Sequence, residues 1–363
     1  MGGALACSLA TLLLLFPANL LPLMSVSMLG MTRRSRISSG VFSLWQGQWV
    51  IVAVIVMACV IVLPVVRFGL LSAVLAQVRR GRRSPWLGPA FRWAIRLDQW
   101  AMPDVFLIGC AIGYSRVAAN LPVTIEWGGI CLIGAAFLCM LSRASLDRRT
   151  VWRAIAAEHP LPPPGSRVIS CTTCDLVLAA EAERTCCPRC GARLHARKPN
   201  ASMFTLALVI AGFLLYFPAN LYPMSTNEQI GRFESHRIID GILELYRAGL
   251  WPLGILIFCT SIAIPLLKIC GLGWLLLSVR RRSAQRLVLK TKLYRLIDEV
   301  GRWSNVDVFT IAVFVPLMQF RGLVSAHAAG GAPAFVAVVV LTMIACRLFD
   351  PRLLWDSGWG AST

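Results

Sequence analysis

Five cysteines crowd one polar stretch of the chain, and four of them are spaced for metal chemistry. Cys171-Thr172-Thr173-Cys174 and Cys187-Pro188-Arg189-Cys190-Gly191 form two C-x-x-C pairs separated by twelve residues. Each pair on a tight turn brings two sulfurs onto one centre, and two pairs complete the tetrahedral four-thiolate set of a structural zinc ribbon. Gly191 suits the positive φ that such turns often need. Four thiolates leave no open coordination position, so the expected Zn2+ is a single structural ion rather than a catalytic one. The segment is too small for its own core, and metal binding would supply much of its folding free energy. A redox C-x-x-C is the rival reading, which two pairs together fit less well. Cys186 adjoins Cys187 and adds an ambiguity; the 187/190 spacing leaves it as a spare thiol. His195 reads as a surface histidine rather than a ligand.

A second set of residues carries charge where charge is costly. Lys268 lies within an apolar run just after Ile264-Pro265, and Asp307 opens the next run. Ionisable groups inside hydrocarbon are expensive and are functional candidates by default. Pro265 removes a backbone hydrogen bond and can bend or open its helix. Across that interface Lys268 and Asp307 are expected to approach and offset each other's desolvation, with Thr342 adding a hydroxyl. Arg67 and Asp104 repeat the pair earlier in the chain. Three readings stand open: a structural ion pair that fixes helix register, a gate or proton-linked relay, or carboxylates that simply favour helix N-termini.

The elements that position these groups are membrane spans. The chain is 57% hydrophobic with a mean hydropathy of +0.69, yet its formal net charge is +19. A bilayer absorbs that much apolar surface, whereas a soluble protein would expose it as large patches. Apolar runs near 4–23, 49–77, 101–119, 124–142, 203–222, 250–279, 304–324 and 332–349 are read as eight spans, the first retained rather than cleaved as a signal. Loop 79–99 holds six Lys and Arg, segment 143–202 ten and loop 280–302 eight. By the positive-inside rule these segments and both termini lie in the cytoplasm, with Arg33, Arg34 and Arg36 as the dissenting outer loop. The Arg clusters flank apolar runs rather than lining one soluble domain, which argues against nucleic-acid binding. Helices at 86–97 and 286–299 are expected to lie along the inner leaflet. Trp45, Trp49, Trp251, Trp303 and Trp355 read as interfacial anchors.

The spans fall into two series. Phe16-Pro17-Ala18-Asn19 recurs as Phe217-Pro218-Ala219-Asn220, and Pro64 to Arg67 recurs as Pro265 to Lys268, both 201 residues on. Trp100 with Asp104-Val105-Phe106 recurs as Trp303 with Asp307-Val308-Phe309, at an offset of 203. The expected fold is an all-α polytopic membrane protein of two tandem four-helix repeats, 1–155 and 201–356, with the zinc ribbon at 165–200 between them. Such parallel repeats imply a pseudo-twofold axis along the membrane normal. Walker, G-x-S-x-G, H-E-x-x-H and dinucleotide motifs are absent from the sequence, so no enzymatic activity is expected.

Together, the ribbon, the Phe-Pro-Ala-Asn and Trp…Asp-Val-Phe repeats and the closing Phe349-Asp350-Pro351-Arg352-Leu353-Leu354-Trp355-Asp356 resemble the paraquat-inducible protein A family of Gram-negative inner membranes. The resemblance implies an MCE-domain partner that forms a periplasm-spanning tunnel, with phospholipid passed between it and the inner membrane. It also implies that a working polar network sits at Lys268, Asp307 and Thr342. Family members usually carry a ribbon before each half, whereas this sequence starts almost at its first span, through loss of that ribbon or a late start. Besides lipid transport, a proton- or ion-coupled exporter of small lipophilic compounds and a zinc-dependent membrane scaffold or sensor are the alternatives.

Overall fold

The computed structural model describes residues 2–28, 31–46, 50–118, 121–156, 162–163, 165, 168–179, 186–195, 197–229, 232–247, 249–283, 285–318 and 324–359. The first series of elements is α1 (Gly2–Leu20), β1 (Met24–Met28), β2 (Met31–Ser35), α2 (Ile37–Gln46), α3 (Val50–Val56), α4 (Leu63–Arg79), α5 (Leu87–Leu97), α6 (Pro103–Ala118), β3 (Val123–Ile125), α7 (Trp127–Ser145) and α8 (Arg148–Ile155). Two short strands, β4 (Val168–Ser170) and β5 (Val177–Ala179), follow. Then α9 (Ala201–Leu221), β6 (Ser225–Gln229), β7 (Arg232–His236), α10 (Ile238–Arg247), α11 (Trp251–Phe258), α12 (Ile264–Arg280), α13 (Leu287–Val300), α14 (Val306–Met318), β8 (Val324–Ala328), α15 (Gly331–Leu348) and α16 (Arg352–Trp359) repeat the same order.

Composition explains the long helices. α1 and α9 are apolar nearly all round, and the few hydroxyls on α1 turn inward to the backbone. Ser8 donates to the Leu5 carbonyl at 2.9 Å and Thr11 to the Cys7 carbonyl at 2.7 Å, so both hydroxyls are satisfied within the helix. Among the described residues, six helical stretches are long and apolar enough to cross a membrane: Gly2–Leu20, Val50–Arg79, Trp127–Ser145, Ala201–Leu221, Trp251–Arg280 and Gly331–Leu348. The other two expected spans are shorter. As described, α6 has 16 residues and α14 has 13; at 1.5 Å per residue that is about 24 and about 20 Å of described helix, against a core roughly 30 Å thick.

Both long central stretches widen to a π-helix before their proline, at Met57–Val62 ahead of Pro64 and at Cys259–Ala263 ahead of Pro265. The π turns leave carbonyls for partners elsewhere: Met102 N donates to Cys59 O at 3.2 Å, and the Tyr216 hydroxyl donates to Ile262 O at 3.3 Å.

Two three-stranded sheets, ordered β2-β1-β3 and β7-β6-β8, were not legible in the sequence. Their strands hold three to five residues, mostly too few and too polar to show a period of two. β6 pairs antiparallel with both neighbours, Ser225 standing opposite His236 on one side and Ala328 on the other.

The Phe-Pro-Ala-Asn motifs end their helices as tight turns. Asn19 donates to the Leu15 carbonyl at 2.6 Å and Asn220 to the Tyr216 carbonyl at 2.8 Å, one turn back. The next residues are held by α7 and α15: Gly128 N donates to Pro22 O at 3.0 Å and Gly331 N to Pro223 O at 2.9 Å. A Cβ at Gly128 would stand 2.6 Å from the Leu21 and Pro22 oxygens, and one at Gly331 2.6 Å from the Tyr222 oxygen. Trp45, Trp251 and Trp355 are exposed and Trp303 half-buried, while Trp49 lies outside the described residues.

The chain folds as two compact units that interleave in sequence. One comprises 1–24, 57–107 and 125–196, and the other 25–56, 108–124 and 197–363. The first contains α4, α5, α7, α8, the four spaced cysteines and Arg67 with Asp104; the second contains Lys268, Asp307 and Thr342.

Candidate functional site

Two matching knuckles build the cysteine cluster. Cys171 N donates to Leu176 O at 2.9 Å and Asp175 N to Cys171 O at 3.1 Å; Cys187 N donates to Ala192 O at 2.7 Å and Gly191 N to Cys187 O at 2.8 Å. The residue after each second cysteine takes a positive φ, 55° at Asp175 and 66° at Gly191, as the spacing required of the glycine. The antiparallel β4–β5 pair holds the first knuckle, with Ser170 opposite Val177.

All four sulfurs are buried and lie within 4.8 Å of one another. Cys171 Sγ is 3.6 Å from Cys190 Sγ, and Cys174 Sγ is 3.6 Å from Cys187 Sγ. A tetrahedron of sulfurs about 2.3 Å from a central ion has edges of about 3.8 Å, so the donor set fits a four-thiolate metal. Metal binding takes these thiols as thiolates, so loading such a site releases protons. Cys186 is exposed, bridged to Arg193 through the backbone, and is not one of the four clustered sulfurs. His195 is exposed as well.

In the same unit Arg67 and Asp104 belong to one charged cluster, joined through residues that the sequence reading did not single out. Arg67 Nη2 meets Asp98 Oδ1 at 2.6 Å, Arg143 Nε meets the same oxygen at 2.8 Å, and Arg143 Nη1 meets Asp104 Oδ2 at 2.6 Å. Arg148 Nη2 adds a longer contact to Asp98 Oδ2 at 3.3 Å. Arg143 also donates to the Asp98 and Ala101 carbonyls, at 3.2 and 3.0 Å. Arg67 Nη1 lies 3.7 Å from Cys139 Sγ, and its guanidinium stacks 4.6 Å from the centre of the Phe68 ring. Burial pushes the Asp98 carboxyl upward, but the Arg67, Arg143 and Arg148 guanidiniums outweigh it and hold the group below the usual carboxylate range.

The second series places its residues differently. Lys268 is fully buried and donates to Ser304 Oγ at 2.8 Å, and Ser304 in turn donates to Gly301 O at 2.9 Å. Asp307 is also buried but does not meet Lys268. It lies beside Ser261 and within electrostatic reach of Arg116. Among the described residues neither the Ser261 hydroxyl nor Asp307 Oδ2 meets a partner at full hydrogen-bond geometry. The expected Lys268–Asp307 pair is therefore not formed: a 3-10 turn over Gly301–Asn305 puts Ser304, one turn earlier than Asp307, within reach of the ammonium. Thr342 is buried and donates to Val339 O at 3.0 Å, bonding to its own helix rather than to either charge.

The family model for paraquat-inducible protein A matches residues 1–156 and 203–358. The chain belongs to the paraquat-inducible protein A family. It is 31% identical over 368 aligned residues to the intermembrane transport protein PqiA of Escherichia coli strain K12, covering 97% of this chain and 85% of that protein. It is 26% identical to a probable intermembrane transport protein of Haemophilus influenzae, over 95% of this chain and 84% of the relative. It is 27% identical to the lipophilic envelope-spanning tunnel protein A of Escherichia coli strain K12, over 97% of this chain and 82% of the relative. No solved structure matches. The paraquat-inducible protein A match takes in Arg67, Asp98, Asp104, Arg143, Lys268, Asp307 and Thr342, while the four metal-spaced cysteines fall in the 157–202 gap between its two segments.

Asp98 and Arg143 had a signal that position alone obscured. Asp98 is the one acid among the six basic residues of loop 79–99, and Arg143 closes an otherwise apolar helix. A lone acid beside buried cations is where their counter-charge has to be sought.

Proposed function

We propose that this chain is a non-enzymatic inner-membrane subunit of a lipid transport system, with both termini cytoplasmic. In this reading it comprises two tandem membrane repeats, 1–155 and 201–356, and a zinc ribbon over 165–200. It passes phospholipid between the inner membrane and a periplasm-spanning partner built of MCE domains. Near full-length similarity to proteins named for intermembrane transport supports the transport role. The observation that carries a working centre in the second series is Lys268, a buried cation in a membrane-length helix whose one acceptor among the described residues is the Ser304 hydroxyl. A cation kept there at desolvation cost is retained for what it binds or transmits. Arg67, its counterpart, is neutralised by Asp98 and has the character of a structural ion pair.

The test combines a gene deletion with purification. Deletion is expected to sensitise the envelope to detergent, the wild-type gene to restore it, and Lys268→Met to fail while the protein is made at normal level. Purified protein is expected to bring down an MCE-domain partner and bound phospholipid. Repeated purification without either, or full complementation by Lys268→Met, overturns the reading.

A second reading, an ion-coupled exporter of small lipophilic compounds, is favoured by the buried and incompletely bonded Asp307 carboxylate. It requires Asp307→Asn to abolish extrusion of such compounds, and unchanged accumulation in that variant sinks it.

A further inference from the structure

The four spaced cysteines are not a separate module in this fold. Cys171, Cys174, Cys187 and Cys190 share one buried cluster with Phe68 of α4, Phe91 of α5 and Trp152 of α8. The approach is closest at the second knuckle. A Cβ on Gly88 would lie 2.2 Å from the Arg189 carbonyl oxygen and 3.5 Å from Cys190 Cα, so only glycine lets the first turn of α5 seat there. One turn further, Arg92 Nη1 and Pro89 Cγ lie 3.6 and 3.9 Å from the Cβ position of Gly191.

Two paths lead from this seat to a single carboxylate. α5 ends at Leu97, directly before Asp98. α8 carries Trp152, whose ring meets Phe91 edge-on at 4.8 Å, and it begins at Arg148, which reaches Asp98. α5, which seats the knuckle, and α8, which packs on α5 through Trp152, thus also hold the hub of the Arg67–Arg143–Asp104 cluster.

The second series lacks both ends of this connection. At the offset of 203, Gly88 is replaced by Thr291, Asp98 by Gly301 and Arg143 by Cys346. Thr291 Oγ1 accepts a hydrogen bond from Trp355 Nε1 at 3.2 Å, closing α13 onto α16 where α5 is open to a knuckle.

We propose that the first turn of α5 is a receptor for the metal-loaded second knuckle, and that this seating sets the Asp98 ion-pair cluster, so metal occupancy is read by the first series of helices. Metal binding supplies the folding free energy of so small a segment, so its removal withdraws the surface that Gly88 and Phe91 rest on. Coupling between two sites is reciprocal, so disturbing the seat also weakens hold on the metal.

The experiment is hydrogen–deuterium exchange on the full-length protein in nanodiscs, with and without a metal chelator. Chelation is expected to speed exchange at least tenfold over 87–98 and 143–152, and to leave 290–301 and 346–355 unchanged as an internal control. No change in the first pair, or an equal rise in both, overturns the proposal. Gly88→Thr is expected to release its metal to the chelator several-fold faster than wild type, whereas Gly69→Ala, whose Cβ meets open space, releases it at the wild-type rate. A wild-type release rate in Gly88→Thr likewise overturns it. If Gly88→Thr does not accumulate, Gly88→Ala replaces it under the same criterion.

Discussion

Asp98→Asn isolates the contribution of one carboxylate to the first series of helices. The substitution keeps the volume and removes the charge that Arg67, Arg143 and Arg148 share. Arg143 keeps Asp104, but Arg67, whose side chain is only 3% exposed, loses its one ion-pair partner among the described residues. Breaking a buried pair from one side costs about 3–5 kcal/mol, because the remaining charge stays buried and unpaired. That corresponds to a fall in apparent Tm on the order of 10 °C, read by intrinsic fluorescence of purified protein in detergent. Arg148→Gln serves as the contrast: its side chain is 55% exposed and its contact is 3.3 Å, so a loss of about 1 kcal/mol or less is expected. Asp98→Asn combined with Arg67→Met removes both charges and is expected to recover much of the loss. The pH dependence follows from the same contacts. The folded carboxyl sits below its unfolded value, so its contribution is complete above the unfolded pKa and is lost as pH falls through the folded one. Wild type is therefore expected to keep this contribution at pH 5 and above and to lose it only in stronger acid. An Asp98→Asn loss no larger than that of Arg148→Gln refutes the assignment of Asp98 as the hub.

Metal analysis by mass spectrometry is expected to find one zinc per chain, lost in Cys171→Ser or Cys187→Ser and kept in Cys186→Ser, whose thiol is exposed outside the cluster. Gly128→Val and Gly331→Val each drive a side chain into backbone oxygens 2.6 Å away and are expected to cut membrane accumulation severalfold on immunoblots, while Gly273→Val, in open space, leaves it near normal. Thr342→Val keeps the shape and removes only a hydroxyl bonded within its own helix, so a stability loss of about 1 kcal/mol or less is expected by thermal scan; loss of envelope protection without loss of stability marks that hydroxyl as functional.

The metal set was legible because its chemistry is local. A C-x-x-C turn fixes two sulfurs by backbone geometry alone, and both knuckles form with the residue after each pair at positive φ. Long apolar helices were legible for a related reason, since composition over about 20 residues decides membrane passage. Arg67, Asp104, Lys268 and Asp307 were found as charges inside apolar runs, but their partners were not. Asp98 lies at the end of α5 and Ser304 in a five-residue 3-10 turn, and no periodicity predicts what a turn brings together across tens of residues. The two three-stranded sheets escaped notice because their register is set by pairing between distant strands, as where Ser225 stands opposite Ala328.

The π-helical turns have a consequence for the phase of the helices they interrupt. A residue inserted into a straight α-helix rotates everything beyond it by about 100° relative to what came before. Arg67 and Lys268 lie just past such insertions, four residues into α4 and α12. Shortening Met57–Val62 or Cys259–Ala263 by one residue and closing it to α-geometry would leave each helix able to span the same membrane. It would also turn the guanidinium or the ammonium about a quarter of the way round its axis, away from Asp98 or Ser304. In each series the widened turn is thus a phase shim: it sets which side of the helix the buried cation faces, independently of helix length.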